Sequence, residues 1–375
     1  MQLNFDKVLD KKNVMWYIIN VNFNVGTRDL KDLTFFIGLG CFWTKAKNIL
    51  GNYYVSFTRI YIGYEFFVTE GFMRKDLLGL EGLSREEIEE ILDTADIMRE
   101  HLDKGEINLD YAKGVSVVNL FYENSTRTRT SFENATKFLG ANQVNIAVGS
   151  SSVAKGESMY DTVKTLESIK NGIVVIRHSM AGTPNYIAKK VDAHIVNAGD
   201  GQHEHPTQAL LDMLTMRRHF GKIDGLTVAI IGDIKYSRVA RSNIFGLLTM
   251  GAKVKLFGIK TLMPKGIEEM GATICNSVEE AIQGSDVVMG LRIQLERQTS
   301  GQFPTTKEYF AEYGITMDRM KLANENAIIM HPAPVNRGVE ISGEAVDSDI
   351  SRIFDQVTNG LAVRMAVIKL LAEGK

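Results

Sequence analysis

The chain has 375 residues, of which 45% are hydrophobic, and its formal net charge at pH 7 is −2. This length suggests two globular domains with some remainder, because a domain takes roughly 100–200 residues. The near-neutral charge argues against a protein that binds nucleic acid or a membrane surface as a whole, so an anionic ligand needs a local group of cations.

The two cysteines, Cys41 and Cys275, lie far apart and neither belongs to a CxxC motif. A disulfide framework and a zinc site are therefore not expected, and a reducing cytoplasm fits. The first residues show no signal peptide, and no run of about 18 uncharged apolar residues predicts a membrane-spanning helix.

Residues 1–72 differ from the rest, because they hold 16 of the 32 aromatic residues of the chain. Patches such as Met15–Ile19 are β-prone, but the segment has no regular period. One interpretation is an additional aromatic domain or docking segment. The preferred one is an N-terminal extension that adds nothing to the chemistry, as a misplaced start codon would give, and that is poorly ordered.

From Met73 onward, short apolar runs alternate with amphipathic segments. Ser84 and Glu87 form the pattern of a capping box at the start of a helix. Strands are predicted at Val115–Phe121, Ile173–Ile176, His194–Val196, Thr227–Ile231, Lys253–Phe257, Val287–Met289 and Ala327–Met330, and helices at Pro206–His219 and about Gln356–Ala372. Buried strands that alternate with helices indicate an α/β protein with parallel sheets covered on both faces.

The strongest functional signal is Ser125-Thr-Arg-Thr-Arg129, between a predicted strand and a predicted helix. The free N–H groups and the positive dipole end of a helix favour an anion there. The three hydroxyls and two guanidiniums add donors, and Arg127 can hold two phosphate oxygens at once. An ordinary N-cap with solvated arginines is the weaker alternative.

Two further groups follow strands of the same half. Arg177 ends one strand, and the carboxyl ends of parallel strands are where ligands gather, although a structural ion pair would explain it equally well. His205 and Gln208 are three residues apart and can hydrogen-bond a carbonyl oxygen and an amide nitrogen. His203 and His205 lack a third ligand at suitable spacing, so no metal is expected.

The second half offers cations at strand ends. Arg238 ends Gly232-Asp-Ile-Lys-Tyr-Ser-Arg238, which follows a strand but lacks the GxGxxG of a dinucleotide site. Arg292 and Gln294 follow the predicted strand Val287–Met289, and two arginines suit a dicarboxylate. In His331-Pro-Ala-Pro334 two prolines fix a loop and leave the Pro332 and Ala333 carbonyls free to accept from an amino group.

Taken together, Ser-Thr-Arg-Thr-Arg, His-Pro-Thr-Gln and His-Pro-Ala-Pro resemble the transcarbamoylase family, and within it the bacterial aspartate enzymes, from Met73 to Lys375. The resemblance implies transfer of a carbamoyl group from carbamoyl phosphate to L-aspartate, in de novo pyrimidine biosynthesis. It implies a carbamoyl phosphate domain at residues 73–220 plus 358–375, to which the C-terminal helix returns, and an aspartate domain at residues 221–357.

The resemblance also implies a role for each matching residue. Arg127, Thr128, Arg177 and His205 would be catalytic. The carbamoyl phosphate site would comprise Ser125, Thr126, Arg127, Thr128, Arg177, His205, Gln208, Pro332 and Ala333, with Ser151 and Lys155 from a neighbouring subunit. The aspartate site would comprise Lys155, Arg238, Arg292 and Gln294.

The family's catalytic unit is a homotrimer, and neither a metal nor an organic cofactor is implied. Regulatory chains or other pyrimidine-pathway enzymes stay open as partners. Three alternatives also stay open: an ornithine carbamoyltransferase, a nucleotide-binding oxidoreductase, and an anion-binding protein without activity. The first would carry His-Cys-Leu-Pro in place of His331-Pro-Ala-Pro334, the second a GxGxxG, and the third would lack substrate contacts.

Overall fold

The computed structural model describes residues 74–147, 156–294 and 305–374, together with the backbone of four N-terminal strands. Those strands belong to a separate unit, Met1–Met73, and pair antiparallel in chain order. They are β1 (Leu3–Leu9), β2 (Met15–Val25), β3 (Arg28–Gly38) and β4 (Cys41–Thr44). The β-prone patch Met15–Ile19 lies in β2, whereas the predicted poor order of residues 1–72 concerns positions outside the described residues and stays a prediction.

The second unit, Arg74–Lys375, contains two parallel sheets. The first sheet has the strand order β6-β5-β7-β8. Its strands and the helices around them are α1 (Arg85–Asp103), β5 (Ser116–Phe121), α2 (Thr126–Phe138), β6 (Asn142–Ala147), α3 (Met159–Ser168), β7 (Ile173–His178), α4 (Thr183–Ala188), β8 (His194–Asp200) and α5 (Pro206–Phe220). Val118, Leu120, Val174 and Ile176 form part of the core of this layer.

The second sheet has the strand order β11-β10-β9-β12-β13, again all parallel. Its elements are β9 (Thr227–Ile231), α6 (Arg238–Thr249), β10 (Lys253–Phe257), β11 (Thr273–Ile274), α7 (Val278–Ile282), β12 (Val287–Gly290), α8 (Thr306–Tyr313), α9 (Met317–Met320), β13 (Ile328–Met330) and α10 (Gly343–Val346). Short 3₁₀ helices span Lys260–Leu262 and Ile267–Met270. Ala229, Ile231, Val288 and Ile329 belong to the core of this layer.

The last helix, α11 (Ile353–Glu373), follows the second sheet and packs against α1, α2 and α5 of the first layer. The predicted return of the C-terminal helix is therefore confirmed. Its inner face is apolar except for a few buried polar groups, among them Gln356, Asn359 and Arg364. These polar groups matter because α11 brings them against the elements that carry the predicted site.

Most predicted elements agree with the structure to within three residues, and the capping box of Ser84 and Glu87 is present at the start of α1. The strand β6 was not predicted. It forms the edge of its sheet and mixes polar with apolar residues, and its Val144 is 37% exposed, so it lacks the continuous apolar run of an inner strand. None of the described helices combines the length and the apolar character needed to cross a bilayer.

Candidate active site

A cavity of about 630 Å³ opens at the carboxyl ends of strands from both sheets. This is where open parallel sheets bind their ligands. All the predicted site residues that the structure describes line it: Ser125, Thr126, Arg127, Thr128, Arg177, His205, Gln208, Arg238, Arg292, Gln294, Pro332 and Ala333. Ser151 and Lys155 lie outside the described residues, so their predicted part in the site is untested.

The N-terminus of α2 forms one wall of this cavity. Ser125 is the N-cap residue, yet its side chain makes no capping hydrogen bond, and the first turn contains no acidic residue. The N–H groups of this turn are thus neither capped by Ser125 nor paired with an acid of the same turn, which favours the binding of an anion there. The two arginines of the motif differ: Arg127 lines the cavity, whereas Arg129 forms an ion pair with Glu133 one turn along the helix, 2.8 Å away.

The guanidinium of Arg127 is close enough to that of Arg292 to be affected by its charge. Partial burial lowers the pKa of the Arg127 guanidinium, and the charge of Arg292 lowers it further. Arg127 comes from the first layer and Arg292 from the second. Two guanidiniums that repel each other across a cavity become favourable neighbours when an anion lies between them.

Glu123 was not predicted, and it links two of the predicted arginines. Its Oε2 lies 3.3 Å from Nε of Arg177 and 3.0 Å from Nη2 of Arg238. Arg238 also donates to the Gly201 carbonyl at 3.3 Å and packs across Gly199, where a Cβ would come within 2.7 Å of the guanidinium carbon. Arg238 is only 5% exposed, so its position is set by these contacts.

His205 is the only buried histidine of the first layer among the described residues. Burial holds the pKa of its imidazole well below the usual range, and the positive charges of Arg238, Arg177 and Arg364 lower it further. The ring is therefore neutral at physiological pH. Its Nδ1 is buried without a hydrogen-bond partner, while its backbone N–H donates to Ser242 Oγ at 2.9 Å. A neutral ring of this kind can donate one N–H to a ligand oxygen.

Gln208 follows on the first turn of α5 and is 8% exposed. Its Nε2 donates to Oδ1 of Asp212 at 2.9 Å, one turn further along the helix. With the amino group committed to a carboxylate, the amide oxygen is the polar atom that Gln208 offers to the cavity. The contact of Gln208 to a substrate amino group stays a prediction.

The loops of the second layer complete the cavity. Gln294 joins the loops after β9 and β12, because its Nε2 donates to the Tyr236 carbonyl at 3.0 Å. His331 follows β13 and is 1% exposed; its Nδ1 accepts the N–H of Ala333 at 2.9 Å. This bond closes the His331–Pro334 loop and sets the direction of the carbonyl groups within it.

Arg364 of α11 is a cavity residue that the sequence analysis missed. It is 5% exposed, donates to Ser131 Oγ at 3.0 Å and lies over the ring of Phe132. Burial lowers the pKa of its guanidinium to about 10. A signal existed in the sequence, since Arg364 is a cation between the apolar runs Leu361–Val363 and Met365–Ile368.

His203, which together with His205 raised the question of a metal, is turned elsewhere. Its Nδ1 lies 3.0 Å from Oδ2 of Asp200, and this carboxylate raises the pKa of the His203 imidazole. The ring of His203 and the carboxylates of Glu81 and Glu204 offer ligand atoms that all lie within 4.8 Å of one another, so these three side chains, and not His205, are placed as possible metal ligands. His203 does not line the cavity that contains His205.

Comparison with known proteins relates both layers to described domains. Residues 75–218 match the model of the aspartate/ornithine carbamoyltransferase carbamoyl-P binding domain, and residues 224–371 match that of the Asp/Orn binding domain. The chain belongs to the aspartate/ornithine carbamoyltransferase family. The resemblance seen in the motifs of the sequence is thus confirmed, as is the fold of two parallel-sheet α/β domains.

Individual members of the carbamoyltransferase family are similar to this chain over most of their length. The aspartate carbamoyltransferase catalytic subunit of Caldanaerobacter subterraneus subsp. tengcongensis is 55% identical over 301 residues, which cover 80% of this chain and 99% of that protein. The aspartate transcarbamoylase of Trypanosoma cruzi, crystallised with carbamoyl phosphate and aspartate, is 35% identical with a TM-score of 0.71, over 78% of this chain and 95% of that one.

An ornithine carbamoyltransferase has the same shape. The enzyme from Thermus thermophilus is 28% identical with a TM-score of 0.70, over 80% of this chain and 99% of that one. Backbone shape therefore does not separate the two branches of the family. The higher identity to the aspartate carbamoyltransferases does.

Proposed function

We propose that this protein is an aspartate carbamoyltransferase, which transfers the carbamoyl group of carbamoyl phosphate to the α-amino group of L-aspartate. The products are N-carbamoyl-L-aspartate and phosphate, a step of de novo pyrimidine biosynthesis. The observation that carries the proposal is the single cavity in which an uncapped helix N-terminus, a neutral buried histidine and arginines of both layers meet.

The phosphate group of the substrate binds at the N-terminus of α2. The N–H groups of this turn, the hydroxyls of Ser125, Thr126 and Thr128, and the Arg127 guanidinium supply the donors. Arg127 has no hydrogen bond to another described side chain, so it is available to the phosphate. Arg177 of β7 faces the same region from the neighbouring strand.

The carbonyl group of the substrate is polarised by Thr128, Arg177 and His205. The deprotonated amine of aspartate attacks the carbonyl carbon, and negative charge develops on its oxygen. The C–O bond to phosphate then breaks, the electron pair leaves with the phosphate group, and the attacking nitrogen gives up one proton to the departing phosphate. A neutral His205 donates a hydrogen bond to this oxygen without having to lose a proton, and each such donor accounts for roughly 3 kcal/mol of the barrier.

Aspartate binds against the second layer. Its two carboxylates call for cations, and Arg292 and Arg238, which both line the cavity, provide them. Gln294 supports this wall through its bond to Tyr236. Juxtaposition of the two substrates in one cavity supplies much of the rate, on the order of 7–11 kcal/mol in well-oriented systems.

The catalytic unit is a homotrimer of cytoplasmic location in this proposal. Ser151 and Lys155 reach the site of a neighbouring subunit, with Lys155 contacting both substrates. The cysteine usage of the chain agrees with a reducing compartment, since Cys275 is a free buried thiol.

The assay that tests the function compares aspartate with ornithine as acceptors, with carbamoyl phosphate as the donor. Carbamoylation of aspartate with little or no carbamoylation of ornithine supports the proposal. Carbamoylation of ornithine alone would place the chain in the other branch of the family, and no transfer to either acceptor would favour a binding protein without activity.

A further inference from the structure

A buried chain of hydrogen bonds links the two places where the amino group of carbamoyl phosphate is expected to bind. Oδ1 of Asp212 accepts from Nε2 of Gln208 at 2.9 Å and from Nε2 of Gln356 at 2.7 Å. Oε1 of Gln356 accepts the backbone N–H of His331 at 2.9 Å. The chain thus runs from α5 to α11 and on to the loop after β13, and its two middle members, Asp212 and Gln356, are at most 2% exposed.

The polarity of this network follows from Asp212. An ionised carboxylate only accepts hydrogen bonds, so both glutamines must turn their amino groups toward it. Gln208 then presents its oxygen to the cavity, and Gln356 presents its oxygen to His331. Nδ2 of Asn243 in α6 donates a hydrogen bond to the other carboxylate oxygen, Oδ2, at 2.8 Å. Three amide donors thus surround one carboxylate.

The far end of the network holds the His331–Pro334 loop in position. His331 is held by Gln356 through its N–H, and its Nδ1 accepts the N–H of Ala333. Its Nε2 lies 3.2 Å from Oε1 of Glu340, at ion-pair distance but without the alignment of a hydrogen bond. The placement of the Pro332 carbonyl, between His331 and Ala333, depends on these contacts.

We infer that Asp212 and Gln356 are positioning residues, which orient Gln208 Oε1 and the Pro332 carbonyl as the two acceptors for the amino group of the donor substrate. The inference rests on the proposed function and adds two residues to it. Neither residue needs to touch the substrate, because both polar atoms of Gln356 and both oxygens of Asp212 are already engaged. Their effect is confined to a hydrogen-bond donor such as the NH₂ group, since both groups that they orient are acceptors.

The ionisation of Asp212 gives this arrangement a pH dependence. Burial raises the pKa of the Asp212 carboxyl to about 6, against the lowering effect of the three amides and of Arg364. Arg364 of α11 is the charged group that faces Asp212, while α5 and α6 contribute only the amides of Gln208 and Asn243. A protonated Asp212 becomes a donor, and the Gln208 amide then gains by turning its oxygen inward, away from the cavity.

The effect on stability has the opposite sign. The folded pKa of Asp212 lies above its unfolded value of 3.8, so burying this group costs most when it is charged, above pH 6. As the pH falls through 6, this cost disappears and the contribution of Asp212 to stability improves. The titration of Asp212 by itself therefore does not destabilise the fold in acid.

The first test compares carbamoyl phosphate with acetyl phosphate, which carries a methyl group in place of the amino group. Equilibrium binding of each donor is measured in the absence of aspartate, for the unaltered protein and for Gln356→Met. Methionine keeps the length of the side chain and removes both hydrogen bonds. We expect carbamoyl phosphate to bind about tenfold more weakly and acetyl phosphate to change by less than about twofold.

Thr215→Val is the matched control. Thr215 Oγ1 accepts from Asn359 at 2.8 Å, which is a buried bond between the same two helices, α5 and α11, that does not reach the cavity. We expect this variant to lower the thermal stability while it leaves the ratio of the two affinities unchanged. Equal weakening of both donors by Gln356→Met would overturn the inference and make Gln356 a structural residue.

The second test uses pH. The preference for carbamoyl over acetyl phosphate in the unaltered protein is expected to fall as the pH drops through about 6, where Asp212 takes up a proton. Both donors share the same phosphate titration, so that titration does not affect the ratio of their affinities. Asp212→Asn removes the titrating group, so the preference becomes independent of pH. A step near pH 6 that persists in Asp212→Asn, or its absence in the unaltered protein, would overturn the role of Asp212.

The proposed function and the positioning network are contradicted by different results. If the unaltered protein binds neither donor, or transfers no carbamoyl group, the proposed function fails. If it does both but Gln356→Met and Asp212→Asn keep the full, pH-dependent preference, the proposed function stands and the positioning network is wrong.

Discussion

The carboxylate of Glu123 lies 3.0 Å from the guanidinium of Arg238, although the two residues belong to different layers of the protein. The same oxygen is within 3.3 Å of Arg177. One acidic group thus holds a cation from each of the two layers. This ion pair fixes the position of two binding groups more than it neutralises them.

Glu123→Gln is therefore expected to impair catalysis without unfolding the protein. The amide keeps the size of the side chain but leaves the guanidiniums of Arg177 and Arg238 without their shared charge. We expect kcat/KM for aspartate to fall about tenfold or more, since hydrogen bonds to charged groups are worth about 1.5–3 kcal/mol. Glu133→Gln, which disrupts the exposed pair with Arg129, is the control and should stay close to the unaltered activity.

The two arginines of the Ser125–Arg129 motif are expected to respond differently. Arg127→Ala removes a cavity donor aimed at the phosphate and should lower kcat/KM by roughly 100-fold to 1,000-fold with the fold intact. Arg129→Ala removes only a surface ion pair and should change it by less than about threefold. Steady-state kinetics and circular dichroism of the two variants decide the point. Similar losses in both would mean that the motif acts as a whole and not through Arg127.

His205 should make the fold less stable in acid. Its folded pKa lies well below the 6.5 of the unfolded chain, so only the unfolded chain takes up a proton as the pH drops below 6.5. The stability attributable to His205 then falls by about 1.4 kcal/mol per pH unit until the folded pKa is reached. His205→Gln should lose less stability than the unaltered protein between about pH 7 and about pH 5 in thermal unfolding. Parallel curves for the two proteins would contradict a buried neutral imidazole.

Shared sites are tested by mixing two inactive proteins. Lys155→Ala and Arg127→Ala chains are unfolded, combined and refolded, and the mixed trimers are isolated. If Lys155 acts in the site of a neighbouring subunit, some sites in each mixed trimer receive both intact residues and activity returns in part. Mixed trimers that stay as inactive as the parents would show that each site uses a single chain.

Removal of the N-terminal unit should leave the enzyme active. The compact unit Arg74–Lys375 contains every described site residue, and the family match begins at residue 75. A chain that starts at Met73 is expected to fold, to form trimers and to keep its kcat. Activity, trimer mass and aggregation are compared for both lengths. An inactive or monomeric short chain would make the N-terminal unit a working part of the protein.

The sequence predicts the inner strands well because their signal is local. Thr227–Ile231 is mostly apolar and Lys253–Phe257 alternates lysines with apolar residues before it ends on Leu256 and Phe257, and β9 and β10 have these bounds in the structure. The edge strand β6 has no continuous apolar run, because a strand at the edge of a sheet is partly exposed to solvent and can carry polar residues there. Local pattern thus specifies strands that carry an apolar run, among them the edge strands β8 and β13, and leaves β6 open.

The site residues likewise fall into those that a local motif reveals and those that only a contact in the structure reveals. Arg127, His205 and Gln208 stand in short motifs next to strand ends, where sequence position alone indicates a ligand. Asp212 and Gln356 are 144 positions apart and acquire meaning only through their contact. Glu123 likewise has no pattern of its own, and its role depends on Arg238, 115 positions later. Residues that act through a distant partner leave no local trace.

The return of α11 to the first layer has a consequence for the order in which the protein becomes competent. Gln356 and Arg364 are synthesised late, yet they line the cavity whose first wall, at Ser125, is made early. Until α11 is complete, the Asp212 carboxyl has no partner from that helix and the cavity lacks a side. A growing chain therefore cannot capture its substrates, and binding begins only once nearly the whole polypeptide has been made.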